Sequence, residues 1–233
     1  MRAEVFFYSM ILITFVYLLI IRRSGYEESG SIDRCGHECR YQPDPALVIN
    51  FYNARRKQLL EVKPNRGHEL LAELEKNFNV TVITQNVDNL HERAGSSHIV
   101  HLHGELTKVC SSRDPYNPHY IKELKPEEYE VKMGDKAGDG TQLRPFIVWF
   151  GEAVPEIETA VRYVEKADIF VIIGTSLNVY PAAGLLHYVP RGAEVYLIDP
   201  KPVDTHTSRS IHVLRKGASE GVEELKQLLI PAP

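Results

Sequence analysis

The sequence predicts an α/β protein, a parallel sheet with helices on both faces, interrupted by a small inserted subdomain. Two observations carry that expectation. From about Asp44 onward, short β-branched runs alternate with amphipathic stretches, the pattern of strands buried on both sides by helices. One interval, Thr107 to Pro145, breaks the alternation with polar, turn-rich text such as "SSRDPYNPHY" and "GDKAGDGTQ". A structureless loop of that length is uncommon in a compact domain, so it reads as a subdomain or a functional lid.

Each element follows from local chemistry. "DPALVINFYNARRKQLLEV" (44–62) places Leu47, Val48, Phe51, Leu59 and Leu60 at helical spacing. "PNRGHELLAELEKNF" (64–78) begins with Pro, which suits a first helical turn, and repeats Leu70, Leu71 and Leu74. "VTVIT" (80–84) is a buried parallel strand by composition. "EIETAVRYVEKA" (156–167) sets Ile157, Ala160, Val161 and Val164 on one helical face, and "ADIFVIIGTS" (167–176) follows as a second buried strand ending in Gly. "EVYLID" (194–199) is a third strand, and "EGVEELKQLL" (220–229) a closing helix with Val222, Leu225 and Leu229 aligned. No internal repeat is present.

Composition bounds the partners. The chain has 233 residues, 27 basic against 31 acidic, for a formal charge of -4. No positive excess asks for nucleic acid. Three cysteines, Cys35, Cys39 and Cys110, are too few for a disulfide framework and suit a reducing cytoplasm. The opening differs from the rest: Val5 to Ile21 carries no charge and is followed at once by Arg22-Arg23. A spanning helix needs about 20 apolar residues, within a range of roughly 17–25, so this run is at the short limit. No small-residue cleavage site precedes the Arg pair, which would leave the body cytoplasmic if the run inserted. Membrane contact is expected only through Val5–Ile21.

In open parallel sheets, ligands bind beyond the carboxyl ends of the strands. After "VTVIT" come Gln85, Asn86 and Asp88; after "VIIG" come Thr175-Ser176; after "VYLI" comes Asp199. Amide, hydroxyl and carboxylate groups delivered to one edge suit a ligand bearing sugars and phosphates, although strand-end loops are polar in any protein. In "SSHIVHLHGEL" (96–106), His101 and His103 would share a face of an extended segment. That pair fits a metal site, a general base with a structural neighbour, or two structural histidines. In "FYNARRKQ", Tyr52 and Arg55 share a helical face, where Arg55 suits a bidentate grip on a carboxylate, or is simply solvated.

"TQNVDNLHERAG", "HLHGEL", "RPFIVWFGE", "GTSLNVYPAA" and "VYLID" resemble, in order, the signature blocks of the sirtuins, NAD-dependent protein-lysine deacylases. The match runs from roughly Asp44 to Leu229, and "FYNARR" is similar to the class that prefers succinyl- and malonyl-lysine. The resemblance implies a Rossmann-like NAD-binding domain over 41–106 and 146–233, with the inserted subdomain over 107–145. It implies that Gln85, Asn86 and Asp88 line the nicotinamide and ribose pocket, and that His103 is the catalytic base. Gly174, Thr175 and Ser176 would meet the phosphates and ribose, and Asp199 and Ala218 the adenosine end. Val148, Trp149, Phe150 and Gly151 would form the acyl-lysine tunnel, and Tyr52 and Arg55 would hold an acidic acyl group. The implied partners are acylated-lysine proteins, including acetylated ones. The implied products are free lysine, nicotinamide and O-acyl-ADP-ribose.

Two departures qualify the resemblance. Sirtuins commonly bind zinc through two C-x2-C pairs in the insertion, whereas only Cys110 stands there, so no zinc is expected. "CGHEC" (35–39) lies well upstream and supplies too few ligands. The first strand and glycine-rich phosphate loop of the family, of the form GAGxSxxSGIPxFR, are also missing from the sequence before "YQPDPALV", where residues 1–40 form an atypical apolar segment. With codons assumed for Arg34 to Glu38, the neighbouring frame reads Asp-Val-Ala-Thr, so residues 1 to about 38 read as a frame-shifted N-terminus that the coding DNA would settle. Two alternatives accompany the enzyme reading: an impaired deacylase that only binds acylated peptide, and a membrane-tethered interaction protein.

Overall fold

The computed structural model describes residues 3–9, 45–149, 151–174, 182–203 and 207–230. Six parallel strands form the main sheet: β1 (Glu4–Ser9), β2 (Asn79–Thr84), β3 (Ile99–His101), β7 (Ile169–Ile173), β8 (Glu194–Ile198) and β9 (His212–Leu214). Their order is β3-β2-β1-β7-β8-β9. A second, antiparallel sheet joins β4 (Gly104–Ser111) to β5 (Lys122–Glu123) on one side and β6 (Leu143–Ile147) on the other. The helices are α1 (Pro45–Glu61), α2 (Arg66–Leu74), α3 (Leu90–Ala94), α4 (Ile157–Val164) and α5 (Ala218–Leu229).

The expected missing first strand is present, and this corrects the sequence reading. Glu4–Ser9, the start of the apolar opening, lies at the centre of the sheet between β2 and β7. "EVFFYS" has the aromatic and β-branched composition of a strand buried in a parallel sheet. A continuous apolar run cannot be assigned to strand or helix by periodicity alone, and here its first five residues, Val5–Ser9, pair on both sides. Residues 10–44, including Cys35, Cys39 and the position of the glycine-rich loop, lie outside the described residues. Among the described residues, no helix is long and apolar enough to cross a membrane.

Alternation along the strands sorts the core into two layers. Phe170 and Ile172 face one side, where they pack with Ile83, Leu102, Val195 and Leu197 against Ala160 and Val164 of α4. Val171 and Ile173 face the other, where Val5, Val80, Val82 and Ile198 meet Leu70, Leu71 and Leu74 of α2 and Val222 and Leu225 of α5. Helix α2 starts with a reciprocal cap, in which the Asn65 side chain accepts from the His68 amide and the His68 ring from the Asn65 amide. Burial at about 25 cal/mol per Å² of apolar surface drives both layers together.

Helix α1 does not cover the main sheet. Tyr52 and Leu59 pack on Leu106 and Ile147 at the root of the second sheet, while Ile49 joins Val109 and Val131 farther out. Within that sheet, Ser111 makes the junction. Its hydroxyl donates to Asp139 Oδ2 at 2.7 Å and accepts the amides of Arg113 and Asp114 at 3.0 Å. Thr141 donates to Asp139 Oδ1 at 2.7 Å. These hydrogen bonds, Thr141's first, hold the Asp139 carboxyl down at about 2. Cys110 is buried and pushed up to about 12 by burial, so it stays a thiol.

Candidate functional site

Parallel pairing aligns the strand ends into one row. His101, Thr84, Ser9, Ile173 and Ile198 are register partners from β3 across to β8. The next residues along each chain therefore emerge on one edge. Successive strands run outward from β1 to β3 on one side and from β7 to β9 on the other, which makes the carboxyl ends of β1 and β7 the switch point where α/β folds open a ligand crevice.

On one side of that crevice stand Gln85, Asn86 and Asp88, each at most 3% exposed. They leave the strand in a tight turn, with the Asn86 amide bonded to Thr84 Oγ1 at 3.0 Å and the Leu90 amide to Asp88 Oδ1 at 3.1 Å. Burial pushes the Asp88 carboxyl up, against the pull of the Leu90 amide and His101. On the other side, Gly174 continues β7 in the left-handed region at φ 58° and donates its amide to Ile198 O. Asp199 follows β8, its carboxylate accepting from the Lys201 amide at 2.7 Å. Ala218 opens α5, whose Gly217 cap has no side chain to occupy the first-turn amides, a polarity suited to anionic or polar ligand atoms. Thr175, Ser176 and Phe150 lie outside the described residues.

The two histidines separate by environment. The chain turns at Leu102 and His103 instead of running extended, so His101 and His103 do not share a strand face. His101 is locked between Asn86 O at 3.2 Å and Glu92 Oε1 at 2.6 Å. Burial would lower its pKa, but the hydrogen bond and charge of Glu92 outweigh that and raise it. His103 is half-buried, and burial lowers its pKa, opposed by a hydrogen bond with the Gln85 main chain. It is therefore neutral at pH 7, the form a general base needs.

The residue after His103 must be glycine. Gly104 sits at φ 81°, and a Cβ there would lie 2.1 Å from Phe146 O. This close approach brings β6 against His103, whose carbonyl accepts the Val148 amide at 2.9 Å. Val148 and Trp149, both half-buried, thus run on directly from the histidine. Gly151, exposed and at φ 87°, ends the segment.

Trp149 is fixed from three directions. Its Nε1 donates to the Tyr52 hydroxyl at 2.9 Å, its amide donates to Glu152 Oε2 at 2.9 Å, and the Arg144 guanidinium lies 3.7 Å over its ring. Arg144, 4% exposed, is bidentate to Glu152 at 2.6 and 2.8 Å. Sequence reading brought Tyr52 and Trp149 forward separately and passed over Arg144, Glu152 and Glu92. "RPFIVWFGE" did hold the signal for the pair, because an Arg and a Glu flanking a strand end with Trp between can only pair if the chain turns. Arg55 follows Tyr52 by one turn of α1, with its guanidinium 5.6 Å from the Phe51 ring. Among the described residues, no carboxylate lies within ion-pair distance of it. No cluster of three or more metal-ligating side chains occurs among the described residues.

Fold and site together define a dinucleotide-binding α/β protein with a neutral histidine whose carbonyl is bonded to the segment that carries Trp149. Residues 32–181 match the Sir2 family, and the chain belongs to it. It is 48% identical over 190 residues to the NAD-dependent protein deacylase of Helicobacter pylori, covering 82% of this chain and 80% of that one. It is 52% identical over 155 residues to the enzyme of the same name from Aggregatibacter actinomycetemcomitans, covering 66% of this chain and 72% of that one. Among solved structures, a Sir2 homologue bound to NAD superposes with a TM-score of 0.68 at 35% identity, covering 80% of this chain and 74% of that one.

Proposed function

We propose that this chain removes acyl groups from protein lysines in an NAD-dependent reaction, with preference for acyl groups that end in a carboxylate, succinyl and malonyl above acetyl. The observation that carries the reading is the His103–Val148 contact: base and tunnel wall are one hydrogen-bonded unit at the mouth of the crevice. The buried polar turn 85–88 and the left-handed Gly174 on either side of the switch point fit a dinucleotide, since both bring polar groups or bare backbone to the strand ends. Bound NAD would supply an electrophilic ribose carbon and nicotinamide as leaving group.

The chain's own residues then have these tasks. Gln85, Asn86 and Asp88 hold the nicotinamide ribose side, Gly174 admits the phosphates, and Asp199 and the start of α5 at Ala218 hold the adenosine end. His103 accepts a proton at its ring nitrogen from a ribose hydroxyl. Val148 and Trp149 flank the acyl-lysine and exclude water, whose attack would consume the cofactor unproductively. Tyr52 and Arg55 meet the acyl carboxylate, which would give Arg55 an ionic partner that none of the described residues supplies.

The test is nicotinamide release from succinyl-, malonyl- and acetyl-lysine peptides. Arg55→Met is expected to lower kcat/KM for succinyl-lysine on the order of a hundredfold, as for truncating a charge from a buried ion pair, and for acetyl-lysine far less. Equal losses on both would refute the acyl preference. Absence of turnover on every peptide, with peptide still bound, would refute the enzyme reading. The proposal includes a cytoplasmic location, which recovery of the protein in a membrane fraction would contradict.

A further inference from the structure

Arg56, the second arginine of "FYNARR", is 3% exposed. Its Nε donates to Leu106 O at 2.8 Å and its Nη1 to Asn53 Oδ1 at 3.0 Å, while Nη2 is buried with no partner. Asn53 in turn clasps Val131, accepting its amide at 3.0 Å and donating to its carbonyl at 2.8 Å. Arg56 thus ties α1 to β4, a few residues beyond His103, and through Asn53 to the Val131 main chain in the inserted segment.

Those bonds need donors but not a charge. No carboxylate among the described residues compensates Arg56. Burial lowers its pKa to about 10, so at neutral pH the guanidinium is still a cation. The contrast with Arg144 is direct. Arg144 has comparable burial, and the carboxylate of Glu152 answers it with two short bonds. A buried cation without a counter-charge is costly even where some of its donors are bonded. Arg56 lies beside Tyr52, with which it interacts electrostatically, and it adjoins Arg55, whose Nε is also buried and unbonded. Two uncompensated guanidiniums next to one tyrosine leave a local positive potential with no anion of the described chain to balance it.

We propose that Arg56 is a specificity-determining positioning residue: it sets α1 so that Tyr52 and Arg55 face the acyl chain, and its uncompensated charge favours acyl groups bearing a carboxylate. This rests on the acyl preference proposed above. Arg55 touches the substrate carboxylate; Arg56 acts from behind it, through the potential and through the placement of the helix.

Steady-state kinetics of the full-length chain on succinyl- and acetyl-lysine peptides separate the possibilities, using wild type, Arg56→Met, Arg56→Gln and Arg56→Lys, with thermal melts to fix the folded fraction. In Arg56→Met and Arg56→Gln the succinyl-to-acetyl ratio of kcat/KM is expected to fall about tenfold, the size of one unscreened charge several ångströms away in a protein dielectric. The loss should lie mainly in KM for the succinyl peptide. Arg56→Lys should keep most of the ratio even where it lowers the melting temperature. If Arg56→Met does not fold, the Gln and Lys variants carry the comparison. Equal losses on both peptides, or a lysine variant that behaves like glutamine, would overturn the role of the charge while leaving the acyl preference standing. A wild type that shows no succinyl preference would overturn both.

Discussion

At the residue scale, the distinctive feature is that two histidines two positions apart have their pKa values shifted in opposite directions. Glu92 holds His101 towards the cation, while burial holds His103 towards the neutral form. A base that must be neutral works only above its own pKa, and lowering that pKa below the ordinary value of about 6.5 extends the working range towards acid. The acidic limb of kcat/KM should therefore bend below pH 6.5, with His103→Ala removing turnover and leaving the fold intact by circular dichroism. Glu92→Gln is expected to release His101 and move that limb little, since Glu92 touches His101 and not His103. A limb that moved by a full unit in Glu92→Gln would reassign the titrating group to His101. The identity of the base was legible from "HLHGEL" by resemblance alone. Its geometry was not, because the turn at His103 depends on Gly104 meeting Phe146 O, a contact between segments more than forty residues apart.

At the element scale, most helices and strands were readable because their periods are clean: Leu70, Leu71 and Leu74 fall on the buried face of α2, and Ala160 and Val164 on that of α4. Strand β1 escaped because it begins an unbroken apolar run whose first residues pair with β2 and β7, and pairing is a property of distant partners. The second sheet escaped for the opposite reason, since its strands are short and part of what joins them is polar bonds with no period at all. Ser111, fully buried, gathers Asp139 and two main-chain amides around one hydroxyl. Ser111→Ala leaves those two amides without their acceptor and should cost about 1–3 kcal/mol of unfolding free energy, read from denaturant titration. This knot joins β4 to the 139–141 turn, and no cluster of metal-ligating side chains occurs among the described residues, so treatment with a strong chelator should leave both melting temperature and turnover unchanged. Loss of activity on chelation, restored by zinc, would show that a metal site had been overlooked.

At the scale of the whole molecule, two buried features decide whether the chain stays folded. The first is acid lability. His68 and His91 meet inside the protein at a ring separation of 4.7 Å, 2% and 1% exposed. Burial first, then the neighbouring His68 and His101, push His91 down to about 3 despite the opposing charge of Glu92, and burial also lowers His68. A histidine whose folded pKa lies below its unfolded value binds more protons when unfolded, so stability is full above about pH 6.5 and is lost as pH falls towards 3. Each such group costs up to about 1.4 kcal/mol per pH unit in that window, and His91→Gln should flatten the fall in melting temperature between pH 6.5 and 5. An unchanged slope would place the acid lability elsewhere. The second feature is β1 itself. Val5 is fully buried against Leu70, Leu74 and Val171, in a strand bonded on both sides. Removing a central strand leaves β2 and β7 with facing rows of unpaired backbone groups, which an edge strand would not do. Residues Val5–Ser9 of β1 cannot serve at once as the middle of this sheet and as part of a membrane span. Val5→Asp places an unpaired carboxylate in that layer, a class of change that costs upwards of roughly 4 kcal/mol against a total stability of about 5–15 kcal/mol. The expected result is loss of the cooperative melt and of turnover together, with Val5→Ile retaining both. A soluble Val5→Asp protein that melts cooperatively and still releases nicotinamide would show that the sheet closes without this strand.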